Sequence, residues 1–517
     1  MPGIRNAVVG IALGSALLFQ PVHAASSAKG PPEPDTPPAE WAEYIAQVKA
    51  ADKVQGDEAR CKAHPDLPGN QWRPGAAQGR CSLLRAPVYT LDQIDALLDT
   101  DEGIAKLERT FAALLDAHYR DQAQREQISI AFHVFDEDPR AGEVAQRWLK
   151  AAPKSPFAMV AGGVHFGSAG WDARGTKFAS QTPEAQLKRM TELFAKAVPL
   201  YMQAMEVEPR LSVACNELNA IGRQSSDALQ TFATSHCLKV DPDSYYVAWE
   251  QINAAQPKWG GSDQQLRHAV AYAAARTERN PILGALLGEA AGYEPANADR
   301  YGEVVEALAG ASRMGPSGTL MAQAAAGYRA NQDWWRSVVY YSQALRFWPH
   351  NANYRYNRAM LMGGANDYAW ARSDIEIALK EEPDNSRYLY LMGVATEALE
   401  TPLAARPYFK RAMAGDRRPA AMERYCQTFM IPAVSTDADA CTRNLVDEFP
   451  GSATAWYMRV WALADRDADG ALVAAQRFKA LADPSDAEHR RQLADIKGFE
   501  AMLKSRKPRP TGGAAGK

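Results

Sequence analysis

The sequence lacks the motifs that usually mark a metal centre or a nucleophilic active site. Its nine histidines and six cysteines include no H-E-x-x-H, H-x-H or C-x-x-C spacing, and the chain has no G-x-S-x-G segment. A formal net charge of -3 provides no broad basic field that would attract nucleic acid. We therefore predict a protein without a metal or other cofactor, without a nucleic-acid partner and without catalytic residues.

Long apolar runs are absent after the first two dozen residues. Arg5 precedes an apolar stretch of about 12 residues at 8–19, which is shorter than the roughly 20 residues of a membrane span. The tripeptide V-H-A at 22–24 is typical of a secretory cleavage site, and no nearby cysteine offers a lipid anchor. We expect residues 1–24 to be a cleaved signal peptide, and the mature chain to be a periplasmic or secreted protein that inserts no segment into the membrane.

The few cysteines fall into three neighbouring pairs. They are Cys61 with Cys81, Cys215 with Cys237, and Cys426 with Cys441. Short loops are entropically the easiest to close, and each such bridge contributes roughly 3 kcal/mol by restricting the unfolded chain. An even, clustered set in an exported chain favours three local disulfides over the two alternatives, which are buried free thiols and a metal site.

Signals for β-strands are sparse. Ala, Leu, Glu, Gln and Arg dominate long segments with helical periodicity. The sequence therefore predicts an all-α fold.

A repeat of 34 residues is present in the C-terminal half. Tyr341, Ile375 and Phe409 follow one another at this interval, and an alanine lies three residues after each of them. Pro349 and Pro383 are also 34 residues apart, where each ends the second helix of a pair. Small residues let the two helices of a unit pack closely, and the bulky residue fills the gap toward the next unit.

Between residues 318 and 417, these three consecutive 34-residue repeats resemble the tetratricopeptide repeat (TPR) family. The resemblance implies a helix-turn-helix solenoid whose first helices line a concave surface for a protein or peptide. The residues at inward-facing positions are Arg329, Asn353, Tyr356, Arg387, Tyr390, Glu397 and Tyr457. An alternative is that the tyrosines pack between consecutive first helices, in which case Asn353 and Arg387 are the pair that faces a ligand.

Two upstream motifs, G-W-D-A-R-G at 170–175 and P-K-W-G-G-S at 257–262, resemble a bacterial domain of unknown function that precedes TPR units in exported proteins. This resemblance implies no activity. Trp171 and Arg174 form a secondary binding site if the guanidinium meets an anion, or else they pack on the core and cap a helix. His165, in a glycine-rich stretch, either lies near a ligand or belongs to a close contact between helices.

The chain thus divides into six predicted segments. They are a signal peptide at 1–24, a Pro-rich linker at 25–40, a short helix plus disulfide-stapled loop at 41–86, a helical domain of unknown function at 87–300, a TPR-like repeat array at 301–504 and a disordered basic tail at 505–517.

The sequence predicts an exported TPR-like scaffold that binds a protein or peptide partner in the cell envelope. Two alternatives remain: an enzyme with an unrecognised site near His165, Trp171 and Arg174, and a structural envelope component that self-associates. Substitutions at His165, Trp171 and Arg174, compared with substitutions at Tyr390 and Arg387, test the first alternative. Light scattering tests the second.

Overall fold

The computed structural model describes residues 36–175, 181–430 and 436–505, and helices are the only regular elements in these ranges. The predicted all-α fold is thereby confirmed. The chain forms two compact units, Thr36–Pro349 and, within the described residues, 350–505. The predicted signal peptide, most of the linker and nearly all of the basic tail lie outside the described residues. No described helix combines the length and the apolar character of a membrane span.

The first unit contains seventeen α-helices among its described residues. They are α1 (Ala39–Ala51), α2 (Asp57–Ala63), α3 (Ala76–Ser82), α4 (Leu91–Leu97), α5 (Asp101–Arg120), α6 (Gln127–Phe132), α7 (Pro139–Ala151), α8 (Pro156–Arg174), α9 (Glu184–Val207), α10 (Ser212–Ser225), α11 (Asp227–Val240), α12 (Tyr245–Ala254), α13 (Asp263–Ala274), α14 (Glu289–Ala296), α15 (Val305–Met314), α16 (Gly318–Ala330) and α17 (Trp334–Phe347). The most extensive contacts join α8 to α9, α10 to α11 and α16 to α17. Helix pairs therefore build this unit well upstream of the predicted repeats.

The α8–α9 pair explains the glycine-rich stretch around His165. A Cβ atom on Gly163 would lie 2.6 Å from the ring of Tyr201, and one on Gly170 would lie 2.5 Å from the ring of Phe194. No larger residue fits at these positions unless α9 moves away. The glycines therefore serve close helix packing.

The N-terminal segment of the first unit is more regular than we expected from its prolines. The predicted disulfide between Cys61 and Cys81 is present, and it joins α2 to α3 with a Cα–Cα distance of 5.4 Å. Hydrogen bonds from α17 anchor the segment: Arg346 Nε donates to the Cys61 carbonyl (2.9 Å) and Gln343 Nε2 donates to the Tyr44 hydroxyl (2.6 Å). These long-range bonds satisfy polar groups that a free loop would leave to solvent.

The second unit contains nine α-helices among its described residues. They are α18 (Ala352–Gly364), α19 (Tyr368–Glu381), α20 (Ser386–Leu399), α21 (Pro402–Ala412), α22 (Arg418–Gln427), α23 (Thr436–Glu448), α24 (Ala453–Leu463), α25 (Ala468–Leu481) and α26 (Ala487–Ser505). The helices α16, α18 and α20 begin at residues 318, 352 and 386, which reproduces the 34-residue period and confirms the resemblance to the TPR pattern.

The remaining two predicted disulfides are also present. Cys215 is joined to Cys237 across α10 and α11 (Cα–Cα 5.6 Å), and Cys426 is joined to Cys441 across α22 and α23 (5.4 Å). Among the described residues no cysteine is free.

Two kinds of contact hold the repeat pairs of the second unit together. In α18–α19, the buried Asp374 carboxylate accepts hydrogen bonds from Arg355 Nη1 (2.6 Å) and Arg358 Nε (2.8 Å). In α20–α21, a Cβ on Gly393 would lie 2.5 Å from the ring of Phe409, so this small residue lets the two helices approach each other. The close contact between Gly393 and Phe409 is the one that the repeat pattern predicts.

Candidate functional site

A polar surface pocket with a volume of about 370 Å³ lies near the N-terminal ends of α18 and α20. We call it the repeat pocket. Its lining residues are Asn353, Tyr356, Asn385, Ser386, Arg387, Tyr388 and Asp416. Three of them, Asn353, Tyr356 and Arg387, are predicted contact residues, so the structure brings part of the predicted set together.

Equivalent positions of two consecutive repeats place Asn353 and Arg387 in this pocket. Each is the second residue of its helix, and the two are 34 residues apart. Asn385 fixes the start of α20, because its Oδ1 accepts a hydrogen bond from the backbone N–H of Arg387 (3.0 Å). Both Asn353 and Arg387 are exposed, which is the arrangement expected of a pair that faces a ligand.

A small network around Asp416 sets the charge balance of the repeat pocket. Ser386 Oγ donates to Asp416 Oδ1 (2.6 Å), and Arg387 Nε donates to Asp416 Oδ2 (2.7 Å). The hydrogen bond from Ser386, followed by that from Arg387, lowers the pKa of the Asp416 carboxyl. The side chains of Arg387 and Asp416 are 56% and 51% exposed, so water screens their attraction. A ligand carboxylate can therefore replace Asp416 at the guanidinium with little loss of stability.

Two largely buried tyrosines supply the aromatic part of the pocket. The ring centroids of Tyr356 and Tyr388 are 5.3 Å apart. Arg417 Nη2 donates to the Tyr356 hydroxyl (3.2 Å), and the Tyr388 hydroxyl donates to Glu382 Oε1 (3.5 Å). Burial, followed by the nearby Glu382 carboxylate, raises the pKa of Tyr388 to about 12, so that its phenol stays protonated at neutral pH.

Four residues of the repeat pocket were not predicted. Asn385 has a recognisable signal, because an asparagine after a helix-ending proline is a common helix cap. Ser386 and Tyr388 flank Arg387 and could have been included with it. Asp416 lies in the segment after α21, outside the helices to which the 34-residue repeat applies, so no sequence signal identifies it.

Tyr390 and Glu397 lie on α20 outside the repeat pocket. Tyr390 is buried, and its ring centroid is 5.9 Å from that of Phe409. It packs against α21, the second helix of its own pair, whereas the alternative interpretation places the tyrosines between consecutive first helices. Glu397 Oε2 accepts a hydrogen bond from Arg424 Nη1 (3.0 Å), and burial raises the pKa of its carboxyl.

The last two predicted contact residues also lie outside the repeat pocket. The Tyr457 hydroxyl donates to Asp495 Oδ2 (3.0 Å), which ties α24 to α26. Arg329 lies on α16 of the first unit.

Trp171 and Arg174 belong to a cluster that joins the two upstream motifs. Arg223 lies over both tryptophan rings, with its guanidinium carbon 5.7 Å from the Trp171 centroid and 4.2 Å from the Trp259 centroid. Arg174 stacks over Trp259 at 5.6 Å, and its Nε donates to Gln224 Oε1 (2.9 Å). Arg174 is only 8% exposed. The geometry favours a packing role for these residues over a secondary anion site.

His165 makes local contacts with backbone and aromatic groups. Its Nδ1 lies 2.7 Å from the Asp136 carbonyl oxygen, and its ring centroid is 5.3 Å from that of Phe166. A Cβ on Gly142 would collide with the imidazole ring. The close-packing interpretation of His165 fits these contacts.

No protein-family model matches this sequence, and no curated protein matches it. Among solved structures, the chain is similar to YrrB, described as a TPR protein with an unusual peptide-binding site, at 20% identity over 37% of this chain and 99% of that chain, with a TM-score of 0.32. It is similar to the TPR domain of P58(IPK) at 12% identity, over 76% and 99% of the two chains, with a TM-score of 0.22. It is similar to yeast Tom70 at 11% identity, over 81% and 97%, with a TM-score of 0.32. The assignment of a TPR-like helical repeat fold rests on the chain's own helix pairs and their 34-residue spacing.

Proposed function

We propose that this chain is an exported scaffold, not an enzyme, and that its repeat pocket binds an extended segment of a partner protein. The observation that carries the proposal is the exposure of Asn353 and Arg387, equivalent residues of consecutive repeats, at one pocket. Polar groups that recur along a curved array of helices match the recurring polar groups of a peptide backbone.

The chemistry of the repeat pocket suits a peptide that carries a carboxylate. Asn353 Oδ1 accepts a hydrogen bond from Asn357 Nδ2 (3.2 Å), and no described residue accepts one from Asn353 Nδ2, which leaves that donor for a ligand carbonyl. The Arg387 guanidinium can release the Asp416 carboxylate and bind a carboxylate of the ligand instead, either an acidic side chain or the C-terminus of the peptide. No histidine lines the pocket, and Ser386 already donates to Asp416, so these groups suit binding better than acid–base catalysis.

Export to the cell envelope is part of the proposal. The secretory pattern at residues 1–24 supports it. The three disulfides support it as well, because structural disulfides persist in oxidising compartments.

Site-specific photocrosslinking tests the proposal. The full chain carries benzoylphenylalanine in place of Asn353 or, as a control, in place of Lys380, an exposed residue of α19 outside the repeat pocket. After irradiation in intact cells, mass spectrometry should find one partner segment joined to position 353 and absent from position 380. The absence of an adduct at 353, or the same adducts at both positions, would reject the repeat pocket as the binding site.

A further inference from the structure

A second concave site lies in the first unit, where residues from or next to α6, α8, α10 and α12 surround a cleft of about 40 Å³. Its lining residues are Ser129, Phe132, His133, Val164, Ser212, Val213, Asn216, Glu217, Ser244, Tyr246 and Val247. Three or so water-sized spheres fill this volume, since each needs about 10–15 Å³. The space matches a group of about three heavy atoms.

The polar atoms of this cleft include hydrogen-bond acceptors without donors. Asn216 Oδ1 is buried without a hydrogen-bond partner, and no described residue donates a hydrogen bond to the carboxylate of the partly buried Glu217. No lysine or arginine lines the cleft. A buried acceptor such as Asn216 Oδ1 is normally paired, and a group that donates several hydrogen bonds can serve this oxygen and the Glu217 carboxylate together.

Apolar and aromatic side chains complete the lining. Phe132 and Val247 offer contacts to methylene groups, and the Tyr246 ring offers a face that attracts cations. Burial lowers the pKa of His133, so this ring brings no positive charge into the cleft near neutral pH. The cleft is therefore complementary to a small cation with an apolar stem.

We propose that this cleft, which we call the ammonium cleft, binds the end of an alkyl-ammonium ligand, either a lysyl side chain or a small primary amine. An ammonium group has three N–H donors, which serve the Glu217 carboxylate and Asn216 Oδ1, and its adjacent methylenes contact the apolar lining. The inference uses no residue of the repeat pocket, so it stands or falls independently of the proposed function.

The charged and titratable groups around Glu217 determine how binding depends on pH. Burial, followed by the Glu250 carboxylate of α12, raises the pKa of Glu217 to about 7. Glu250 is itself paired with Arg223 of α10, whose Nε lies 2.7 Å from its Oε1. Tyr201 of α9 and Tyr246 of α12 have pKa values raised by burial and stay neutral, as does His133. Glu217 is thus the group in the cleft whose charge changes between pH 6 and pH 8.

The first experiment titrates the full chain with ethylammonium chloride at constant ionic strength, using calorimetry and saturation-transfer NMR. A ligand of this size should bind with a Kd on the order of millimolar at pH 8. With a carboxyl pKa of about 7, roughly a tenth of the sites are ionised at pH 6 and nine tenths at pH 8. Affinity should therefore rise about tenfold over this interval.

A matched pair of variants separates the cleft from the surface. Glu217→Gln keeps the shape of the side chain and removes its charge, so ethylammonium should bind at least tenfold more weakly and lose its pH dependence. Glu206→Gln makes the same chemical change at an exposed position of α9 and should bind as the wild type does. Far-UV circular dichroism checks that both variants are folded.

Further ligands identify the source of the ammonium group. If Nα-acetyl-lysine methylamide binds as well as ethylammonium, the cleft takes lysyl side chains; if only ethylammonium binds, it takes free amines. Ethanol and acetate, which lack the cation, should not bind. The proposal is wrong if ethanol binds as well as ethylammonium, or if Glu217→Gln leaves the binding of ethylammonium unchanged. It is also wrong if this binding does not depend on pH, or if neither amine binds at about 100 mM.

Discussion

In the repeat pocket, Arg387 and Asp416 are more than half exposed and paired with each other, whereas Glu217 in the ammonium cleft is partly buried and has no partner among the described residues. An exposed ion pair contributes little to folding and exchanges its partner readily. A buried carboxylate without a partner opposes folding whenever it is ionised. These two polar sites therefore have very different effects on the stability of the units that carry them.

The largest expected effect concerns the buried charges of α18–α19, next to the repeat pocket. Asp374→Asn removes the carboxylate that accepts hydrogen bonds from Arg355 and Arg358, and should lower the free energy of unfolding by about 4 kcal/mol, because two buried guanidinium groups each lose a buried ion pair. Urea unfolding measures the loss, and hydrogen exchange locates it in α18 and α19.

Asp384→Asn is the control for that experiment. Its ion pair with Arg411 (3.0 Å) has the same chemistry but lies in solvent, with the Asp384 side chain 94% exposed. The urea midpoint should therefore not move. If the two substitutions had similar effects, burial would not be what distinguishes charged groups in this unit.

The next largest effect concerns the ammonium cleft and depends on pH. Because the folded-state pKa of Glu217 is raised from 4.5 to about 7, the folded protein binds a proton that the unfolded chain has already released. Stability is therefore lost as pH rises from about 4.5 to 7. Glu217→Gln does not titrate, so it should be more stable than the wild type by roughly 3 kcal/mol at pH 8 and by less than about 1 kcal/mol at pH 5.

Urea unfolding at pH 5 and pH 8 checks this sign, with Glu206→Gln as the variant that should follow the wild type at both values. A Glu217→Gln variant that was less stable than the wild type at pH 8 would mean that Glu217 is paired in solution. The contrast between the two sites would then disappear.

A smaller effect concerns the close packing of α20 on α21. Gly393→Ala places a methyl group 2.5 Å from the buried Phe409 ring and should destabilise the second unit by about 2 kcal/mol. At Gly363 of α18 the nearest atom to an added Cβ is Leu391 Cδ1, at 3.9 Å, so Gly363→Ala should be neutral or stabilise by less than about 1 kcal/mol. Thermal unfolding compares the two variants. Equal losses would show that the space around these glycines does not decide the cost of the added methyl group.

Local regularity made three of the seven residues of the repeat pocket predictable. Asn353 and Arg387 occupy the same helix position at a fixed 34-residue interval, and the three disulfides close loops of 20, 22 and 15 residues. Such features depend on short stretches of chain, which sequence patterns describe well. Asp416 follows α21 outside this register, and Tyr390 could not be assigned to a pocket or to the core until the position of Phe409 was known.

The ammonium cleft could not be predicted, for a related reason. The helices that carry or adjoin its lining, α6, α8, α10 and α12, begin at residues 127, 156, 212 and 245, so they follow no constant interval. His133 and Glu217 come from distant parts of the chain, and neither belongs to a motif with a known spacing. Only the packing of four helices brings them to one cleft.

The smallest effect on stability is expected for Arg387→Ala, and it should coincide with a loss of function. The guanidinium is exposed and its partner Asp416 remains solvated, so the urea midpoint should equal that of the wild type. Binding of the segment identified by crosslinking should weaken at least tenfold in fluorescence anisotropy, since a charge-assisted hydrogen bond to its carboxylate is lost. Arg411→Ala breaks another exposed Arg–Asp pair, which lies outside the repeat pocket, and should leave both stability and binding unchanged. If Arg411→Ala weakened binding as much as Arg387→Ala, the partner would recognise the overall charge of the surface. The repeat pocket would then not be the specific binding site.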